Sequence, residues 1–136
     1  MATSDNVLRA GLTPKHRDVD NLLASLTWTF GVQHSVTPTP LFSSTTPAEY
    51  SRVYVPPVPE FSVVQVSLPP GKREAHAAFD GPSILIVTEG WGRLGAPGEA
   101  DTGLKEGSVV FIGAGVDVHF SSGNTDSLVL YRAYYP

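Results

Sequence analysis

The chain has 136 residues, enough for one domain that buries roughly two-thirds of its unfolded surface without a disulfide or structural metal. It has no Cys, which removes thiolate metal sites and thiol nucleophiles, and its 9 basic and 13 acidic residues leave a net charge of −4 with no basic run to suit nucleic acid. Its apolar runs stop at four or five residues, far short of the ~20 that span a bilayer, and residues 1–6 lack the basic and apolar regions of a secretory signal. The expectation is a cytoplasmic protein with neither nucleic acid nor membrane as partner.

In chain order, residues 1–30 read as an arm and one short helix. Gly11 and Pro14 oppose a continuous helix in the arm. Asp18 or Asp20 then caps a helix of about two turns, since acidic side chains favour a helix N-terminus. Val19, Leu22, Leu23 and Leu26 share one face of it, and the pattern stops at Thr27-Trp28. So short a helix needs an apolar surface to lean on. Residues 31–59 read as a Pro-, Ser- and Thr-rich connection, extended where its prolines dictate, with a mobile centre around Ser43 to Thr46. Tyr54, Val55 and Val58 offer apolar contacts that lay its end along the following domain.

Residues 60–136 carry the β signals, organised around the apolar, largely β-branched run Ile84-Leu-Ile-Val87. That run reads as a buried strand feeding a turn at Glu89-Gly90, with a second strand from Arg93. Further strands are predicted over 61–68, 73–79, 108–112, 116–121 and 128–134. In the second of these Ala75, Ala77 and Phe79 are expected inward, which turns Glu74 and His76 outward. Several short strands with regular turn signals predict an all-β sandwich or barrel. Eight or so antiparallel strands fit a cupin-type jelly roll, here with an N-terminal arm and one short α-helix.

Four histidines, His16, His34, His76 and His119, are the only neutral nitrogen ligands. Metal-holding cupins usually present a His-x-His pair with a Glu on one hairpin and another His on a later strand. Here His76 stands alone, and Val118 takes the inward position of the later segment, so His119 points to the opposite face. A metal centre needs three or four convergent ligands, so the barrel is expected to be metal-free. Glu74 and Glu89 have no evident partner to tune them for acid–base work. There is no G-x-S-x-G elbow, and Gly113-Ala-Gly115 is a turn between strands rather than a phosphate loop. Arg9 is the more informative residue, with Asp5 before it and Lys15 after it in a Gly/Pro-shaped segment. Two cations on a fixed backbone suit a phosphate or enediolate, because Arg offers a planar, permanently charged fork; the alternative is a surface Arg–Asp pair that ties down the N-terminus.

The run Met-Ala-x-Ser-Asp-Asn-x-x-Arg-Ala-Gly-Leu-Thr-Pro-Lys over residues 1–15 resembles the segment that follows the metal site in type I mannose-6-phosphate isomerases. The likeness continues through Asp18-Val19 and returns at Pro56-Pro-Val-Pro-Glu-Phe61, Gly81-Pro-Ser-Ile84, Glu89-Gly90, Gly107-x-Val-x-Phe-Ile112 and Tyr131-Arg-Ala133. The resemblance implies the C-terminal, cupin-type domain of an aldose–ketose isomerase that uses zinc to interconvert mannose 6-phosphate and fructose 6-phosphate, in mannose and GDP-mannose metabolism. It also implies Arg9 as a catalytic residue, with Lys15 and Asp5 as substrate-binding neighbours. The family's zinc ligands, a Gln, two His and a Glu, belong to a preceding domain, and His16 and His34 lie on the wrong side of the motif to replace them. The expectation is therefore a sugar phosphate site completed by a missing N-terminal domain, with zinc in the intact enzyme and none held by this chain's own residues. A fragment of that kind should be inactive alone and self-associate through the exposed helix face. The competing reading is a free-standing, metal-free cupin that serves as a binding or structural module. A small metallo-cupin enzyme is a third reading, and it requires zinc or iron to co-purify stoichiometrically.

Overall fold

The computed structural model describes residues 8–28, 35–43 and 46–136. Asp5 and His34 lie outside these residues, as does the centre of the connection at 44–45. The chain divides into two compact units, Met1–Ser35 and Val36–Pro136.

In the first unit, α1 covers Val19–Ser25. Asp18 caps it: the carboxylate accepts from the Asn21 backbone N–H at 3.2 Å and from the Asn21 side-chain amide at 2.6 Å. The helix ends where Leu26 turns extended. None of its residues is buried, and Val19, Leu23 and Leu26 stay 46%, 47% and 44% exposed.

The second unit is all β. Its strands are β1 (Thr39–Ser43), β2 (Thr46–Tyr54), β3 (Ser62–Leu68), β4 (Arg73–His76), β5 (Ser83–Gly95), β6 (Thr102–Lys105), β7 (Val109–Ile112), β8 (Val118–Ser122) and β9 (Leu128–Tyr134). They form one curled antiparallel sheet in the order β1-β2-β3-β9-β5-β8-β4, with β6 and β7 also paired to β5. The 13-residue β5 holds this together. Its first half pairs with β7 and β9, and its second half with β6 and β8. Inward positions alternate as strand geometry requires: Val64, Val66 and Leu68 of β3 meet Leu85 and Val87 of β5, Phe120 of β8, and Leu128 and Leu130 of β9, each no more than 1% exposed. This is the cupin-type, all-β architecture that the strand pattern predicts. Among the described residues no helix is long and apolar enough to cross a membrane.

Four local expectations change. Glu89-Gly90 is not a hairpin end; β5 runs through it, with a bulge between Val87 and Glu89 in its pairing with β9. Gly90 sits there at φ +77°, where an added Cβ would come within 1.8 Å of the Ser127 carbonyl oxygen, so only glycine fits. The span expected to be a connection contains β1 and β2, which pair antiparallel with each other and through β2 with β3. Pro40 and Pro47 are accommodated because β1 is an edge strand and Pro47 lies near the start of β2. Val55 and Val58 do not lie against the wall but are 59% and 42% exposed. Finally, β4 has the opposite facing from that expected: Glu74 and His76 are buried while Arg73 and Ala75 are exposed.

Candidate functional site

The first unit carries the cations singled out in the sequence. Residues 8–18 have neither helix nor strand, and the Asp18 N–H donates to the Arg9 carbonyl at 2.9 Å, which folds the segment back on itself ahead of α1. The Lys15 N–H donates to the Thr13 hydroxyl at 3.2 Å, within the same loop. Arg9 is half-buried and Lys15 exposed, and neither pairs with Asp or Glu among the described residues. Both cations thus hang on one closed loop.

The second unit holds a buried polar cluster between β2 and β4. Glu74 and His76, two apart on β4, point inward together, and Ser51 of β2 meets them from across the barrel. The Ser51 hydroxyl donates to Glu74 Oε1 and lies 2.9 Å from His76 Nε2. His76 Nε2 is also 3.2 Å from Glu74 Oε1, and the Tyr50 N–H donates to Glu74 Oε2 at 2.7 Å. Because the Ser51 proton is committed to the carboxylate, the hydroxyl accepts from His76, which places a proton on Nε2. The ring's Nδ1 is buried without a partner, and its edge packs on Phe120 at 5.1 Å between centroids. Burial pushes the Glu74 carboxyl up, but hydrogen bonds from His76, Ser51 and the Tyr50 amide outweigh it and hold the group below its ordinary value.

Ser, His and Glu in contact invite comparison with a catalytic triad, and the geometry answers it. A triad needs the carboxylate on one imidazole nitrogen and the hydroxyl on the other, so that the ring can pass a proton between them. Here both oxygens sit on Nε2, and all three residues are at least nine-tenths buried. The cluster locks β2 to β4 and lacks the arrangement of a triad.

Nor do these residues suit zinc. Among the described residues no three of His, Cys, Asp or Glu converge. Both Glu74 oxygens are already engaged by protein donors, and His119 faces away from the interior, 3.7 Å from Asp101.

A second buried polar residue escaped the sequence reading. Arg132 of β9 is fully buried, its Nε–H donates to the Ser83 hydroxyl at 2.9 Å, and its Cζ lies 4.1 Å above the Phe79 ring, which in turn stacks on Tyr134 at 4.0 Å. Burial pushes its guanidinium down to about 10, against a smaller opposing influence from Tyr134, so it remains charged at neutral pH. Its two terminal nitrogens have no partner. Parity on the strand was the available signal, since Leu128, Leu130 and Arg132 alternate onto one face. Ser51 carried no such signal, because its strand lies in the stretch expected to be a connection.

Comparison with known proteins gives a consistent answer. Residues 51–98 match the family described as phosphomannose isomerase type I C-terminal. Mannose-6-phosphate isomerase 2 of Arabidopsis thaliana is 43% identical over 133 residues, covering 98% of this chain and 28% of that protein. The mannose-6-phosphate isomerase of Cryptococcus neoformans var. neoformans is 40% identical, covering 98% of this chain and 30% of its own length, and that of Bos taurus is 38% identical, covering 98% and 31%. This chain therefore spans under a third of the length of these curated relatives. Among solved structures, a cupin-like protein of Thermotoga maritima aligns with TM-score 0.55 and 27% identity over 68% of this chain and 76% of its own. The polyketide cyclase RemF of Streptomyces resistomycificus aligns with TM-score 0.59 at 14% identity, over 78% and 79%, a likeness of fold.

Proposed function

Since the chain belongs to the type I phosphomannose isomerases through their C-terminal domain, we propose that it serves the interconversion of mannose 6-phosphate and fructose 6-phosphate in the cytoplasm. The observation that carries this is the 43% identity extending over 98% of the chain, well beyond residues 51–98. In this reading the loop of residues 8–18 contributes Arg9 to the active site. Moving a proton between C1 and C2 of the sugar passes through an enediol, and negative charge builds on oxygen as the proton leaves. A guanidinium held beside that oxygen stabilises it and is worth most where water is excluded. Lys15, an exposed residue, suits the phosphate or another anionic part of the substrate, and Asp5 shares the substrate-binding role in this reading.

The barrel of the second unit then acts as support. No three metal ligands converge among its described residues, and in this reading the zinc that serves the intact enzyme is held by another of its domains. The test measures isomerase turnover by this chain alone and by the chain combined with a zinc-loaded amino-terminal part of a related isomerase. Turnover only in combination is the expected outcome, and turnover by the chain alone would refute the division of labour. Within the active combination, Arg9→Ala should lower kcat by about 100-fold or more, the scale of losing one oxyanion-stabilising donor. Undiminished turnover would remove Arg9 from the site.

A further inference from the structure

The outward face of β4, β8, β5 and β6 differs from the rest of the barrel surface. Glu74, Phe120 and Leu94 form one buried cross-strand row. The adjacent row, Arg73–Ser121–Arg93–Gly103, therefore faces out, with the two arginines separated by one small residue. Trp91 stands two residues before Arg93 on the same face, with Lys105 as its cross-strand partner. Among the described residues none of these cations pairs with Asp or Glu.

An exposed Trp alone is ordinary. Trp91 is 46% exposed and yet fixed on two sides. The ring is backed by Gly123, where even an added Cβ would come within 2.5 Å of two indole carbons. Its Nε1–H donates to Asp126 Oδ2 at 2.7 Å, and the Thr125 hydroxyl donates to the same oxygen at 2.7 Å. These bonds, from Thr125 and Trp91 in that order, hold the Asp126 carboxyl below its ordinary value, so it stays a firm anchor for the indole edge. The fixed ring borders a cavity of about 340 Å³ lined by Arg93, Ser121, Ser122, Asn124 and Thr125. A rigid aromatic face loses little entropy on stacking, a guanidinium without a carboxylate matches phosphate, and the Ser121 hydroxyl and Asn124 amide of the lining suit ring hydroxyls.

We propose that this cavity binds a phosphorylated ring compound, with the ring stacked on the Trp91 indole and the phosphate held by Arg93. Hexose phosphates and nucleotides share this chemistry. The site lies wholly in the second unit and does not depend on the isomerase reading or on Arg9.

The test follows the Trp91 indole N–H resonance of the full, ¹⁵N-labelled chain during titration with glucose 6-phosphate, AMP and inorganic phosphate. A saturable shift with either organic phosphate supports the site, and the tighter of the two identifies the source as sugar or nucleotide. Arg93→Gln, an exposed position that leaves the fold intact, should weaken that ligand about tenfold or more. Calorimetry on Trp91→Phe, which keeps a ring over Gly123, should show a smaller loss of affinity. An equal shift at equal affinity with inorganic phosphate would mean an adventitious anion only and overturn the proposal. So would unchanged affinity in Arg93→Gln, or no shift with any of the three at millimolar concentration. Isomerase turnover plays no part in these readouts, so this proposal and the functional one fail separately.

Discussion

Glu74 keeps its charge in the barrel interior because three donors face it. With its folded pKa held down, the carboxylate contributes stability that is fully present above the ordinary carboxyl range and is lost as pH falls through the folded value. Glu74→Gln should therefore cost about 2 kcal/mol at pH 7, the scale of hydrogen bonds to a charged group. It should also flatten the acid limb, so that wild type and variant converge as pH falls through the lowered folded value of Glu74; urea unfolding at several pH values checks both. Arg132 behaves in the opposite way. Its buried charge has one hydrogen bond and a ring beneath it but two unpartnered nitrogens, and a buried charge with incomplete partners is often replaceable. Arg132→Met should leave stability unchanged or raise it by about 1–4 kcal/mol in the same assay. A large loss would mean that its terminal nitrogens are satisfied by something essential.

At the scale of elements, β5 decides the fold, since its two halves belong to different parts of the curled sheet. The bend depends on Gly90, which combines a positive φ with backbone too close for any side chain. Gly90→Ala should cost about 3 kcal/mol or more, adding left-handed strain to a steric clash. Gly98→Ala, at φ +79° with open space around it, should cost only about 1 kcal/mol. Comparing the two denaturation midpoints separates conformational strain from contact. Elements were legible where the hydrophobic pattern was local: β9 over Leu128–Tyr134, β7, β3 and α1 fall where their apolar periodicities place them. β1 and β2 were hidden because prolines and threonines made an edge hairpin look like a linker. β4 was assigned the wrong face because Glu74 and His76 read as surface residues. Nothing near them in the sequence reveals that Ser51 and the Tyr50 amide will meet them.

At the scale of the molecule, the all-β, cupin-type class followed from strand count and turn spacing, and the arm loop followed from Gly11 and Pro14. The polar clusters did not follow, since each joins residues far apart in the chain, Ser51 with Glu74 and His76, and Ser83 with Arg132. Where the core lies has a consequence for the whole chain. Among the described residues every buried hydrophobic one, from Leu41 to Leu130, belongs to the second unit, as do the three buried polar partners of β2 and β4. None of α1 is buried. The second unit thus holds the described core, and Val36–Pro136 alone should unfold in a single cooperative transition. Its denaturant midpoint should match that of the full chain. The slope against denaturant should fall only slightly, because none of the residues of α1 is buried. Refolding should be slow for the size, in milliseconds to seconds, since β3 pairs with β9 and β5 with β8 across long stretches of chain. A broad transition, or a midpoint well below that of the full chain, would show that the first 35 residues supply part of the core and are more than an arm.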